Sequence, residues 1–297
     1  MSPDQTTFSG DSFVLGYRFQ NYWDFHMATA FFFGELGAGL FLISLYFGFV
    51  PGMVLGLLCT GVGKPYYHMS HMGVPMKSWR AILRPDRSWI SRGLMGIVVF
   101  VPCGALVVLD ALYGWSGGGM LGKLVQFVAV AAALLVMTYQ GFAMSHSSAI
   151  ALWNSGLMPV ASLVYALTSG AAVTLALNLF FKGIDPLLIS NVLIALVGVT
   201  LLVLLSLLHA TYHGTVGARQ SLELLTRGRF AKPFLSVVFG AGVVLPILAL
   251  WFFGASTIMG LLAAVGVVAG FYAFRLLIFK AGVFEPQISF AARLGLS

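Results

Sequence analysis

The chain has 297 residues, of which 59% are hydrophobic and only 8% are charged, with a net charge of +7. So little polar surface cannot cover a water-soluble globule, and a mean hydropathy of +0.96 is typical of a protein that lies in lipid. The scarcity of charge also excludes a disordered chain. The two cysteines, Cys59 and Cys103, form no Cys-x-x-Cys motif, which excludes a disulfide scaffold and an iron–sulfur cluster held by this chain.

The hydropathy pattern predicts eight transmembrane helices. A crossing needs about 20 apolar residues. The stretch at 51–71 begins as an apolar run, but Lys64 and Pro65 interrupt it. Two interpretations are therefore possible, a full crossing and a re-entrant segment. We predict that it crosses, which gives an all-α integral membrane protein without a soluble domain. The other predicted crossings lie at about 25–49, 93–113, 122–144, 157–181, 186–209, 232–253 and 256–280.

The predicted organisation is an N-terminal interfacial segment at 1–24, an eight-helix transmembrane domain at 25–281 and a C-terminal tail at 282–297. We expect no cleavable signal peptide, because no basic region with an apolar core and a small-residue cleavage site comes before the first helix. Small residues at helical spacing around Gly39 and Gly270 predict close helix packing.

The basic residues are concentrated on one side of the predicted bundle, which we call the basic face. The opposite side has only Lys123 and Lys182. The positive-inside rule then predicts that both termini are cytoplasmic, in a multi-pass protein of a bacterial or archaeal cytoplasmic (inner) membrane. This pattern describes membrane topology rather than nucleic-acid binding, although a surface that docks an acidic protein partner would show it too. The basic face holds Arg18, Lys77, Arg80, Arg84, Arg87, Arg92, Arg219, Arg227, Arg229, Lys232, Lys280 and Arg293.

All six histidines are predicted to lie at the basic face. Such a cluster suits proton-coupled redox chemistry, because a quinone head group needs a hydrogen-bond partner at each carbonyl and a group that exchanges protons near neutral pH. A solvating role and a b-type haem, which needs one histidine from each of two helices, are alternatives. We assign no metal ligand, since a di-iron site would need a denser set of histidines. The histidines are His26, His68, His71, His146, His209 and His213.

Glu35 is the most unusual polar residue in the predicted helices. It lies about ten residues into the first helix and so about 15 Å deep, where an unpaired carboxylate is expected to face the bundle interior. Its predicted role is a proton relay or a quinol proton acceptor, and the alternative is a neutral carboxyl group satisfied by neighbouring backbone. Asp110, Tyr139 and Gln140 extend a polar path or serve as helix-to-helix contacts. Arg275 is expected to snorkel to the lipid head groups.

The segment at 64–93 carries the most specific motif. Its prolines, tyrosines, tryptophans and six basic residues are more than a linker needs. It resembles the signature of the membrane anchor subunits of dimethyl sulfoxide reductase and polysulfide reductase type complexes. The runs that carry the resemblance in this segment are HMGVP at 71–75, KSWRAIL at 77–83 and SWISR at 88–92. Further runs are SAIALWN at 148–154, FY at 271–272, RLL at 275–277, AG at 281–282 and P at 286.

This resemblance implies an eight-helix, quinone-reactive anchor subunit that holds no haem and no iron–sulfur cluster of its own. It implies menaquinone or ubiquinone as the cofactor, with membrane lipid around the helices. It also implies two protein partners, which are a four-cluster iron–sulfur electron-transfer subunit and a molybdopterin catalytic subunit. The chain is then part of an oxidoreductase complex and is not expected to be catalytic alone.

The resemblance also assigns site residues. The family's quinol-binding histidine falls on His71, while the motif's arginine is Val74 here, so Lys64 or Lys77 is expected to supply the charge. Some anchors carry an acidic residue at the position of Gly93, and its absence favours Glu35 as the proton acceptor. The predicted catalytic residues are therefore His71 and Glu35. The predicted quinone-binding residues are His71, His68 and Lys64, with Tyr67 and Trp89 as pocket walls and Arg80 orienting the head group or a partner.

Two other functions stay open from the sequence. A b-type haem-carrying electron-transfer subunit would use the same histidines as metal ligands. A proton-coupled secondary transporter would use Glu35 and Asp110 as coupling carboxylates, although the two halves of the chain show no convincing repeat.

Overall fold

The structure of the protein is a computed structural model that describes residues 5–7, 14–16, 18–254 and 256–285. Arg293, Pro286 and most of the tail predicted at 282–297 lie outside the described residues. The described part is a bundle of helices with two small antiparallel strand pairs. β1 (Gln5–Thr7) pairs with β2 (Val14–Gly16), and β3 (Arg18–Phe19) pairs with β4 (Val283–Phe284).

Seven helices of the described chain are long and apolar enough to cross a membrane, which confirms the predicted class of an all-α integral membrane protein. The α-helices of the described chain are α1 (Phe25–Tyr46), α2 (Val50–Leu58), α3 (Lys64–His71), α4 (Trp89–Tyr113), α5 (Met120–Ser145), α6 (Leu157–Phe181), α7 (Pro186–Tyr212), α8 (Val216–Thr226), α9 (Ala231–Pro233), α10 (Leu245–Phe253) and α11 (Thr257–Lys280). The seven long apolar ones are α1, α4, α5, α6, α7, the continuous segment from α9 to α10, and α11.

The stretch at 50–71 forms one continuous helical segment, because the π-helix Cys59–Gly63 joins α2 to α3. The segment runs antiparallel to α1. Its middle approaches α1 where Gly56 lies against Gly37, and its end approaches the start of α1 where Tyr67 packs against Phe25. Since it extends along the whole of a membrane-crossing helix, we count it as the eighth crossing.

Each of two π-helical segments ends two residues before a proline. Lys64, just before Pro65, donates its backbone N–H to the carbonyl five residues back. Leu245, just before Pro246, does the same at the end of the π-helix Phe234–Val244. A proline has no N–H to donate and its ring collides with the carbonyl four residues earlier, so the wider π turn relieves both problems. The first π turn therefore determines how Lys64 enters the bundle.

Glycines allow the central helices to approach closely, as predicted. Gly39 of α1 lies against the backbone of Ala166 and Gly170 of α6, and a Cβ at Gly39 would overlap the Ala166 carbonyl. A similar contact joins Gly270 of α11 to Gly242 in the seventh crossing. In lipid, helices associate through such close packing because no hydrophobic effect drives them together.

Contacts at the basic face join the start of the first crossing to the end of the last crossing. Trp23, just before α1, stacks on Trp153 with ring centroids 5.1 Å apart. The indole N–H of Trp153 donates to the Ile278 carbonyl of α11 at 3.0 Å, and the Gln20 amide donates to the Phe279 carbonyl at 2.8 Å. The start of the first crossing and the end of the last therefore lie on one side, as an even number of crossings requires.

The glycine contact between α1 and α6 generates a stability prediction. We expect Gly39→Ala to lower the free energy of unfolding by about 1–3 kcal/mol, because the added methyl group overlaps backbone that cannot move aside. Thermal unfolding in detergent measures the effect. The matched control is Gly198→Ala in α7, where an added Cβ meets nothing within 4 Å. Equal unfolding midpoints for the two variants would contradict the packing argument.

Candidate functional site

A cleft of about 300 Å³ lies near the basic face between α3 and α4. The 3-10 helix Pro75–Leu83 and Tyr139 of α5 complete its walls. Met69, Trp79 and Val98 along it are 41%, 58% and 56% exposed, so the cleft is open towards lipid rather than sealed inside the bundle. Ligand pockets in proteins begin at about this volume and have mostly apolar walls with a few polar groups. The apolar walls include Met72, Ile82, Ile90, Leu94 and Ile97.

Lys64 forms the polar inner end of the cleft, although the residue is only 3% exposed. Its ammonium donates to the Ala30 carbonyl at 3.3 Å, the one hydrogen bond it makes to the described residues. The ammonium also lies 5.3 Å and 5.2 Å from the ring centroids of Phe31 and Tyr139. Because an ammonium has three donors, Lys64 retains capacity to donate to a ligand in the cleft.

His68 lies one turn beyond Lys64 on α3 and also lines the cleft. Its Nδ1 atom is buried and has no hydrogen-bond partner in the part of the chain that the structure describes. Leaving a buried polar atom without a partner costs about 1–3 kcal/mol, so this atom marks a place where a ligand group would be stabilised. The i, i+4 spacing brings His68 and Lys64 to one side of α3.

Tyr139 occupies the space beside Gly93, where the resemblance allows an acidic side chain. Gly93 of α4 lies directly against the Tyr139 ring, and a Cβ at this position would overlap the ring atoms. The ring of Tyr139, which comes from a different helix, therefore fills the space that a side chain at position 93 would need.

Trp89, the first residue of α4, is not one of the residues that line the cleft. Its ring stacks on Phe142 at a centroid distance of 4.2 Å, and the Arg92 guanidinium lies 4.4 Å from the ring. Arg92 also donates to the carbonyls of Pro85 at 2.7 Å and Asp86 at 3.1 Å. These contacts hold the loop before α4 in place.

Tyr67 and Arg80 lie outside the cleft. Tyr67 is on another side of α3, where it stacks on Phe33 at 5.6 Å and lines a second groove of about 520 Å³ between α1, α6 and α11. Hydroxyl groups are the only polar side-chain groups among the described residues of that groove. Arg80 is exposed, with its guanidinium 5.6 Å from the ring of Trp79.

His71 is one turn beyond His68 and does not line the cleft. Its Nδ1 lies 3.1 Å from the carboxylate of Asp24, just before α1, and its side chain is 28% exposed. A direct contact between His71 and a ligand in the cleft is therefore not part of this arrangement, and the role of His71 stays a prediction.

Arg275 does not snorkel to the head groups, so that prediction was wrong. It is fully buried, and its Nε and Nη2 atoms donate to the two carboxylate oxygens of Glu35 at 2.8 Å and 2.6 Å. Nη2 also donates to the Ser162 hydroxyl at 2.6 Å. A bidentate pair satisfies a carboxylate that would otherwise be stranded in the membrane interior. Glu35 faces the bundle interior as predicted, but an arginine rather than neighbouring backbone satisfies it.

Gly34 brings the cleft and the buried ion pair together. A Cβ on Gly34 would lie 3.0 Å from the Lys64 ammonium and 2.9 Å from the Gln140 amide nitrogen, so these two side chains meet over the glycine. Both amide atoms of Gln140 are buried without a hydrogen-bond partner among the described residues. Because Glu35 follows Gly34 directly, polar groups extend from the cleft towards the ion pair.

Asp110 lies far from this cluster. Its carboxylate accepts from the Ser116 backbone N–H at 2.8 Å and from the Ser116 hydroxyl at 2.7 Å, and so caps the turn after α4 on the opposite side of the bundle. Sequence reasoning missed Asp24 and Ser162. The position of Asp24 directly before the first apolar run is a helix N-cap signal that would have drawn attention to it.

In a comparison with protein families, the family described as Polysulphide reductase, NrfD matches residues 14–286, which is most of the chain. This match confirms the resemblance that the motifs indicated. A search of curated proteins found no match.

The buried ion pair generates a second stability prediction. We expect Arg275→Met to lower the free energy of unfolding by about 3–5 kcal/mol, because it leaves the Glu35 carboxylate buried and unpaired. The double variant with Glu35→Gln should recover part of the loss. Thermal unfolding in detergent measures both, with the exposed Arg219→Met as the control. An Arg275→Met protein as stable as the control would show that the pair does not hold the bundle together.

Proposed function

The chain belongs to the NrfD family, and on that premise we propose that it is the quinone-reactive membrane subunit of a molybdopterin oxidoreductase complex. It exchanges electrons between the membrane quinone pool and a partner iron–sulfur subunit with four clusters. The observation that carries the proposal is the lipid-open cleft beside α3, which presents Lys64, His68 and Tyr139 at its polar end.

The chemistry of the cleft fits a quinone head group. A quinone carries two carbonyl oxygens on an apolar ring, and the cleft offers an ammonium donor, an imidazole with an unpartnered buried nitrogen, and apolar walls. The bound quinone would supply two-electron, two-proton redox chemistry. The protein residues orient the ring, donate hydrogen bonds to its oxygens and keep water away from its apolar side.

The predicted site residues then divide into groups. We assign Lys64 and His68 to direct contact with the head group, and Tyr139 to the wall of the cleft. We assign His71 to proton exchange without direct contact with the quinone. Trp89 packs against Phe142 and Arg92 at the start of α4, and we assign Glu35 as a proton acceptor behind Lys64.

The position of the cleft near the basic face supports the proposed partners. Electrons must pass between the quinone and iron–sulfur clusters outside the lipid, and the exposed loop with Arg84 and Arg87 lies at this same side. We propose that the iron–sulfur subunit docks there, on the cytoplasmic side by the positive-inside rule. We also propose that this chain holds no haem.

A matched pair of lysine variants tests this function. In the purified complex, we expect Lys64→Met to lower quinol-dependent turnover at least about tenfold, because a buried donor to the head group is lost while the side-chain volume is kept. Turnover with an artificial soluble electron donor or acceptor should stay unchanged. His68→Leu should give the same pattern.

The control is Lys123→Met, which removes an exposed lysine charge on the opposite side of the bundle. It should leave both activities unchanged. Unaltered quinol-dependent turnover in Lys64→Met and His68→Leu would refute the proposed site, whereas equal loss of both activities would indicate a role in assembly instead.

A further inference from the structure

Asp24 lies between two imidazoles at the basic face. One carboxylate oxygen is 3.1 Å from Nδ1 of His71 at the end of α3, and the other is 3.2 Å from Nδ1 of His26 in the first turn of α1. The carboxylate is 44% exposed, so it contacts water as well as both rings. His26 and His71 are the titratable groups that face Asp24 among the described residues.

The capping role of Asp24 fixes this carboxylate in position. It accepts from the backbone N–H groups of His26 at 2.9 Å and Met27 at 3.2 Å, at the positive end of the α1 dipole. Partial burial raises the pKa of Asp24, but the hydrogen bonds from His26 and Met27 and the charges of His71 and His26 outweigh it, so the pKa lies below its usual value. Asp24 is therefore a carboxylate throughout the neutral pH range.

The last turn of α3 leads from the cleft to this carboxylate. His68 lines the cleft, and His71, three residues later, lies on an adjacent part of the same helix and contacts Asp24. The cleft, His68, His71, Asp24 and water thus follow one another in space.

We propose that Asp24 is a positioning residue for proton exchange at the quinone cleft. It orients the His71 ring through the contact with Nδ1, so that His71 passes protons between the cleft and the water at the basic face. This inference rests on the proposed function. For each quinol oxidised, two electrons leave to the iron–sulfur partner and two protons leave towards water, and quinone reduction reverses both movements. The proposal concerns only the protons.

The conservative variant Asp24→Asn tests this role. The asparagine oxygen still caps α1, so the fold should be retained, but the counter-charge for His71 is lost. We expect quinol-dependent turnover to fall about tenfold while turnover with an artificial soluble donor or acceptor is unchanged. In the direction of quinol oxidation, the acid side of the pH profile should move to lower pH, because the variant removes a negative charge that lies 3.1 Å from Nδ1 of His71.

The matched control is Asp185→Asn. Asp185 caps α7 by accepting from the Leu187 N–H at 3.0 Å, on the side of the bundle opposite the histidines. It should leave the turnover and the pH profile unaltered. Asp24→Glu should restore most of the turnover, because it returns the charge. Adding His71→Ala to Asp24→Asn should cause little further loss, since both changes interrupt one route.

Three results would overturn the inference. These are an unchanged pH profile in Asp24→Asn, an equal loss of quinol-dependent and artificial activity, and full additivity of the Asp24 and His71 changes. The outcome is separable from that of the proposed function, since Lys64→Met tests the quinone site without touching Asp24. If Lys64→Met abolishes quinol-dependent turnover and Asp24→Asn does not alter it, only the proton route is wrong.

Discussion

The bidentate ion pair between Glu35 and Arg275 is the contact on which the arrangement of the bundle depends. It joins the first crossing to the last, and the shared hydrogen bond to Ser162 adds the fifth. Removing two charges from water costs several kcal/mol per ion, and only close geometry with further hydrogen bonds offsets that cost. The pair therefore constrains three helices at once, because any shift that separated them would leave a charge unpaired in lipid. Gly39, one turn further into α1, permits the close approach that this geometry needs.

The same constraint reaches the cleft through Gly34. Because the ion pair holds α1 in place, the position of Gly34 is fixed as well. The side chains of Lys64 and Gln140 occupy the space beside this glycine. Lys64 is positioned from its own side by the π turn that precedes Pro65. The polar end of the cleft thus has two independent supports, which suits a site that must orient a ligand ring within a fraction of an ångström. The outer wall is an exposed loop held by contacts of Arg92.

Much of the fold could be predicted from the sequence, because hydropathy and small-residue spacing are local signals. The position of Lys64 and His68 on one side of a helix also follows from local spacing. The pairing of Arg275 with Glu35 does not, because 240 residues separate them and a position near the end of a span favours snorkelling. The assignment of His71 to direct quinone contact came from the motif alone. Only the packing of α3 against the start of α1 brings His71 to Asp24 while His68 lines the cleft.

The proposed function requires that the cleft beside α3 binds the quinone head group. Photolabelling of the purified complex with an azido-quinone, followed by mapping of the labelled peptides, shows where the head group binds. We expect label within 64–72 and 78–98, and protection by excess unmodified quinone. Label confined to the apolar groove beside Tyr272, or label at the cleft that excess quinone does not reduce, would contradict it.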